Sequence, residues 1–157
     1  MAYTAGFNIG PRMTGIDLSL VGTTQLHPMG SIAYDNRGRK YVYVKANGTV
    51  AAFKLVKSAS ASDPFTNVVI ATASGAATKV LGMTVLALAA NQYAWIVTQG
   101  VVEDDASVVS ASVANGDPLI SDGSGNCTLA TAADLEDTIG ICIVDDTDNT
   151  GTIVLSC

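Results

Sequence analysis

Ser31-Ile32-Ala33-Tyr34, followed by Asp35-Asn36-Arg37-Gly38-Arg39 and then Lys40-Tyr41-Val42-Tyr43-Val44-Lys45, is the stretch that decides the fold class. Alternating β-branched and aromatic residues occupy the second flank. The Asp-Asn-Arg-Gly run between the flanks supplies the residues that tolerate a tight reversal. The reading is a β-hairpin. Side chains alternate across a strand, so Tyr41, Tyr43 and Lys45 share one face and Val42 and Val44 the other. The valines are expected to face the core.

The same grammar extends in both directions. Ala46-Asn47-Gly48-Thr49 turns the chain into an apolar run from Val50 to Val56, and further strands are predicted at Val68 to Thr72, Lys79 to Leu88 and Gln92 to Gln99. The segment from Lys57 to Asn67, with Ser-Ala-Ser-Ala-Ser and Asp63-Pro64, reads as an exposed loop. Towards the C-terminus, Ala106 to Val113 leads to Pro118-Leu119-Ile120. A Ser121-Asp122-Gly123-Ser124-Gly125-Asn126 turn then returns the chain as Cys127-Thr128-Leu129-Ala130. Ala132 to Asp137 has room for one helical turn, and Ile139 to Val144 with Thr152 to Leu155 form a last hairpin around the acidic turn Asp145 to Gly151. Short strands without a substantial helix define an all-β chain, a compact β-barrel or β-sandwich of short antiparallel strands.

Residues 1–20 break this pattern. Gly6, Gly10-Pro11 and Gly15 interrupt any strand, yet Tyr3, Phe7, Ile9 and Met13 supply apolar groups that a solvated tail does not need. Two readings stand: an extended N-terminal arm that orders on a partner, or an edge strand of the protein's own sheet. The division expected is an arm at 1–20 and a single β domain at 21–157. A chain of 157 residues can bury a core without a metal or disulfide.

The charges are segregated along the chain. Residues 1–79 hold all eight Lys and Arg against three acids, a net +5, while residues 80–157 hold eleven acids and no Lys or Arg, a net −11. Such a distribution bears on partners and association rather than on fold. Hydrophobic residues make up 48% of the chain and charged residues only 14%, which implies a surface partly covered by a partner. The overall acidity argues against nucleic acid as a partner, because phosphate neutralisation needs a net basic face. Arg37, Arg39 and Lys40, with tyrosines nearby, are therefore read as a protein contact or a solvated face. No charged segment followed by an apolar one marks the first residues as a secretory signal, and synthesis in a cytoplasm is expected. The longest apolar stretch, Val80 to Ala90, is about half the length of a membrane span, so no membrane is expected as partner.

Catalysis finds no foothold in these residues, and no enzyme is expected. His27 is the sole histidine, set in Leu26-His27-Pro28-Met29-Gly30 without a nucleophile or metal signature, and reads as structural or solvent-facing. Cys127, Cys142 and Cys157 lack the CxxC spacing of a zinc site or the even count of a disulfide framework. The first two read as small buried hydrophobes and the last as exposed. Asp146-x-Asp148-x-Thr150-Gly151 begins like a calcium loop, but Cys157 occupies the position where such a loop ends in a bidentate acid. An acidic turn is the reading, with no metal and no cofactor.

Two stretches together carry a resemblance. Leu26 to Ala46, with Arg37-Gly38-Arg39 in its turn, resembles small capsid-associated proteins of tailed bacteriophages. Tyr93-Ala94-Trp95-Ile96-Val97-Thr98-Gln99-Gly100, Val113-Ala114-Asn115-Gly116-Asp117-Pro118-Leu119, Gly125 and Ile139-Gly140-Ile141 are similar to the β modules of head decoration, or capsid cement, proteins. The resemblance implies a structural virion protein on the capsid exterior, made in the bacterial host cytoplasm. Such a protein binds the major capsid protein, usually as a homotrimer, and stabilises contacts between capsid subunits. Capsid binding is then expected from Tyr3, Phe7, Ile9, Arg12 and Met13 in the arm. Inter-subunit contact is expected between the basic set Arg37, Arg39 and Lys40 and the acidic set Glu103, Asp104 and Asp105. Two other classes fit the composition: a phage tail or fibre component, and a carbohydrate-binding β module using Trp95 and the tyrosines as stacking platforms.

Overall fold

A computed structural model of the chain describes residues 4–6, 14–60, 62–71, 80–103, 109, 113–132, 138–144 and 151–157. The described residues contain strands and turns and no helix, and the architecture is all-β, as the alternating runs require. β1 (Thr4–Gly6) pairs with β2 (Thr14–Asp17) in a small ribbon of their own. The main sheet contains β3 (Ile32–Tyr34), β4 (Lys40–Lys45), β5 (Leu55–Ser58), β6 (Val68–Ile70), β7 (Val80–Thr84), β8 (Tyr93–Glu103), β9 (Pro118–Ser121), β10 (Cys127–Leu129), β11 (Gly140–Val144) and β12 (Thr152–Ser156).

β8 organises this sheet. One edge of it carries β4, from Lys45 opposite Tyr93 to Lys40 opposite Gln99. Along the other edge β7 and β12 follow end to end, with Met83 opposite Val97 and then Ser156 opposite Gln99. β5 and β6 extend the β7 side, while β11, β9 and β10 extend the β12 side. The sheet curls strongly enough to form a half-barrel. At one end β6 returns to the tail of β4, where Ala46 and Val68 form a parallel bridge. The Lys45 amide donates to the Phe65 carbonyl at 2.8 Å, and the Asn47 amide to the Val68 carbonyl at 2.9 Å.

The valines of β4 face a core as expected, and from Tyr41 to Val44 the opposite face of that strand is buried as well. Val42, Val44, Val56, Val68, Ala94 and Ile96 fill the inside of the curl. On the opposite face Tyr41, Tyr43, Trp95 and Val97 join a larger core with Ile16, Leu18, Leu119, Cys127, Cys142, Ile153 and Leu155. Tyr41 is 1% and Tyr43 3% exposed. The alternation separated the two faces correctly. That the tyrosine face would also be covered depends on β9 to β12 and on the segment at Ile16 and Leu18, which come from elsewhere in the chain.

A bulge makes the two halves of β8 serve different parts of the molecule. Lys40 and Tyr41 on β4 oppose Gln99 and Val97, so Thr98 is an extra residue and the side-chain alternation changes phase there. Val97 and Val102, five residues apart, accordingly lie in the same core. Gly100 just beyond has φ +112°, and a Cβ there would stand 2.9 Å from Cγ of Arg39. Only glycine accommodates both the backbone and the neighbour.

Other expectations shift in detail. The run from Val50 to Val56 becomes a strand only at Leu55, because Phe53 adopts φ +55° in an intervening turn; Val50 makes only an isolated bridge to Leu88. The hairpins β9–β10 and β11–β12 form as read. Cys127 and Cys142 are buried, and Cys157, expected to be exposed, is half-buried. The helical turn read at Ala132 to Asp137, most of Ala106 to Val113 and nearly all of the acidic turn lie outside the described residues. No described helix is long and apolar enough to cross a membrane.

Candidate functional site

The β3–β4 turn, where three of the expected contact residues lie, is built around Asp35. Its Oδ1 accepts the backbone amides of Arg37 and Arg39, both at 2.9 Å. Its Oδ2 accepts Nε of Arg39 at 2.6 Å and the Tyr41 hydroxyl at 3.3 Å. The side chains of Arg39 and Asp35 are 5% and 2% exposed, and the guanidinium lies 5.6 Å from the centre of the Tyr41 ring. Burial pushes the Asp35 carboxyl up, but the Arg39 amide, the Arg39 guanidinium and the Arg37 amide together hold it below its ordinary value. Sequence reading passed over Asp35. The available signal was its place at the head of Asp35-Asn36-Arg37-Gly38, where an aspartate commonly folds back onto amides two residues on.

The expected contact residues separate into distinct environments. Arg39 is buried within its own chain. Arg37 is exposed and pairs with Glu103 at 2.6 Å, with 58% and 62% of the two side chains exposed. At that exposure the pair is worth about 0–1 kcal/mol. Lys40 is half-buried on β4. The fold thus brings Arg37 and Glu103, from the oppositely charged halves of the sequence, together inside one chain. Asp104 and Asp105, and the arm residues Tyr3, Phe7, Ile9, Arg12 and Met13, lie outside the described residues. Of residues 1–20, Ile16 and Leu18 are 7% and 1% exposed and belong to the larger core.

A second feature is an aromatic cluster along β4 and β8. His27 meets Tyr43 edge-on at 5.1 Å and Trp95 at 5.2 Å, and Tyr43 stacks on Tyr93 at 6.1 Å. Lys45 lies 5.8 Å from the Tyr93 ring centre. Beside the cluster is an open groove of about 290 Å³ lined by Leu20, Gly22, Thr23, Thr24, Leu26, Tyr43 and Tyr93. Trp95 is 3% exposed, so its ring is a core element and cannot serve a sugar as a stacking surface.

The two parts of the sheet are tied together by the β9–β10 turn. Lys54, just before β5, donates its ammonium to Oδ1 of Asn126. The Asn126 side-chain amide in turn donates to Oδ2 of Asp122 at 2.7 Å, and the Leu55 amide donates to the Gly125 carbonyl at 2.6 Å. A cation from the first half and an acid from the second are linked here as well.

No protein-family model matches the chain, and no curated protein matches it. Among solved structures, the fold is similar to that of the head fiber gp8.5 N base in bacteriophage phi29, with a TM-score of 0.54 at 15% identity. The likeness covers 74% of this chain and 92% of that one. At such identity it is a likeness of fold.

Proposed function

We propose that the chain is a structural protein of a phage virion, attached to the outside of the head, where it binds the major capsid protein and stabilises contacts between capsid subunits. The observation that carries this reading is the shared fold with a head fiber base, which extends over nearly the whole of that base. The lightly charged, apolar composition is consistent with a protein that works by being covered. Self-association as a trimer belongs to the same reading, with the basic and acidic regions setting register and encounter rate more than affinity. No catalytic step is assigned to the chain.

The head fiber likeness also favours a narrower second reading, in which the chain is the base that joins a fibre to the head. Mixing the purified protein with expanded heads of the phage that encodes it, then counting bound copies by quantitative gel and cryo-microscopy, separates the two. Occupancy at capsid positions across the shell is the expected outcome for a cement; density only beneath fibres favours the base. Failure to bind heads at all refutes both. Deleting residues 1–13 tests the arm, and capsid attachment is expected to weaken while the β domain stays folded.

A further inference from the structure

The contact between Lys54 and Asn126 brings together two groups that can react with each other. The Asn126 carboxamide is held at both ends: its Nδ2 donates to Oδ2 of Asp122 at 2.7 Å, and its Oδ1 faces Nζ of Lys54. Asp122 is itself fixed, because its Oδ1 accepts the backbone amides of Ser124 at 2.6 Å and Asn126 at 2.9 Å. Thr84, 1% exposed, fixes the Lys54 backbone from the other side. Its amide donates to the Lys54 carbonyl at 3.0 Å, and its hydroxyl accepts the Lys54 amide at 3.1 Å. The next residue, Leu55, donates its amide to the Gly125 carbonyl at 2.6 Å, and a Cβ on Gly125 would stand 2.8 Å from Cγ2 of Ile70. Two distant segments are therefore pressed together here, and the amine and the carboxamide meet without a search.

An amine against an amide carbonyl, with a carboxylate on the amide nitrogen, is the set that acyl transfer requires. Lys54 is half-buried, so its ammonium can give one proton to solvent and become a nucleophile. The nitrogen lone pair then adds to Cγ of Asn126, and the carbonyl π pair moves onto Oδ1. Collapse restores the carbonyl and breaks the Cγ–Nδ2 bond. Asp122, already on Nδ2, passes the surplus proton of the attacking nitrogen to the leaving one. The Lys54 ammonium and the Asn126 carboxamide thus become a secondary amide and ammonium, with no change of oxidation state and no co-reactant.

We propose that Lys54 and Asn126 join through an isopeptide bond from Nζ to Cγ, formed by the folded chain on itself with Asp122 as the acid–base group. The bond has a place in the architecture. Along the sheet, β5 and β10 are separated by β7, β8, β12, β11 and β9, and only the curl brings Lys54 to the β9–β10 turn. The link closes that curl covalently between residues 72 apart in sequence. A cross-link over so long a loop restricts the unfolded chain and stabilises the folded one. The bond is a property of the single chain and is independent of the virion role.

The test is the mass of the intact, denatured protein. Wild type is expected to be lighter than its sequence by one ammonia, and Lys54→Arg and Asn126→Ala to keep the full sequence mass. Lys54→Arg retains a cation and a donor beside Asn126 but no amine, so it separates a covalent bond from a hydrogen bond. Trypsin locates the link: cleavage after Lys54 is blocked, and residues 46–57 stay joined to residues 80–157, which otherwise separate. Circular dichroism and Trp95 fluorescence check that each variant folds, and wild type should melt roughly 10 °C above Lys54→Arg. Asp122→Asn should form the link at least about a hundred-fold more slowly. A wild-type protein that keeps its full sequence mass after long incubation at mildly alkaline pH overturns the proposal. So does an ammonia loss that persists in folded Lys54→Arg, or one that maps to Asn47-Gly48 or Asn115-Gly116, where the following glycine amide can displace ammonia. A folded Asp122→Asn that cross-links at the wild-type rate overturns the role given to Asp122.

Discussion

Replacing Asp35 by Asn tests whether the buried turn holds the hairpin in place. The substitution preserves shape and leaves one oxygen for the amides of Arg37 and Arg39. It removes the negative charge and puts an NH₂ donor where Oδ2 now accepts Nε of Arg39 at 2.6 Å. Two donors then face each other around a guanidinium whose side chain is 5% exposed. Removing one partner of a buried ion pair costs about 3–5 kcal/mol. Against a total stability of roughly 5–15 kcal/mol, the loss is a large fraction. In a chain of this size it corresponds to a fall in Tm of about 6–20 °C. Urea and thermal unfolding followed by the fluorescence of Trp95, the only tryptophan, would measure it at a concentration below any association. The pH dependence supplies a second reading. Because the folded Asp35 carboxyl lies below its ordinary value of 3.8, its contribution is complete above that pH and is lost as pH falls through the lower folded value. The gap between wild type and Asp35→Asn should therefore close in strong acid. A loss under about 1 kcal/mol at neutral pH would mean the pair behaves like an exposed one, and would refute the reasoning.

Close strand approach and burial give the remaining expectations. Gly140→Ala would drive a Cβ into the Val154 carbonyl, and Gly82→Ala would place one 2.5 Å from the Val97 carbonyl, whereas Gly48→Ala meets nothing within 4 Å. The first two should lose about 1–3 kcal/mol in a urea melt and the third stay within about 0.5 kcal/mol of wild type. Burial pushes the Cys157 thiol from 9.0 up to about 12, so alkylation in the folded protein near pH 8 should run roughly a thousand-fold slower than in urea. Equal rates, measured by mass spectrometry, would place that thiol in solvent.

Much of the fold could be read from local pattern because hairpins are local. The turn residues at Asp35 to Arg39 and at Ser121 to Asn126, flanked by alternating side chains, suffice to specify β3–β4 and β9–β10. The run at Val50 misled because its apolar composition is that of a strand, while the break at Phe53 is a backbone conformation that residue type does not announce. The charge segregation was visible as composition, and its pairing was not. Arg37 and Glu103 are 66 residues apart in sequence, and only the antiparallel run of β4 along β8 brings them together.

By itself the sequence determined the all-β class, the hairpins, the division of each strand into two faces and the opposite charges of the two halves. These depend on residue identity, the two-residue period of extended chain and simple counting. The tertiary structure decided which faces are covered. The tyrosine face of β4 is buried because distant strands and the segment at Ile16 and Leu18 close over it. Val101 and Ile141, on the other face of their strands from the larger core, stay 39% and 50% exposed. Burial is a relation between segments far apart in sequence, so alternation can sort the side chains into faces but cannot say which face meets the core.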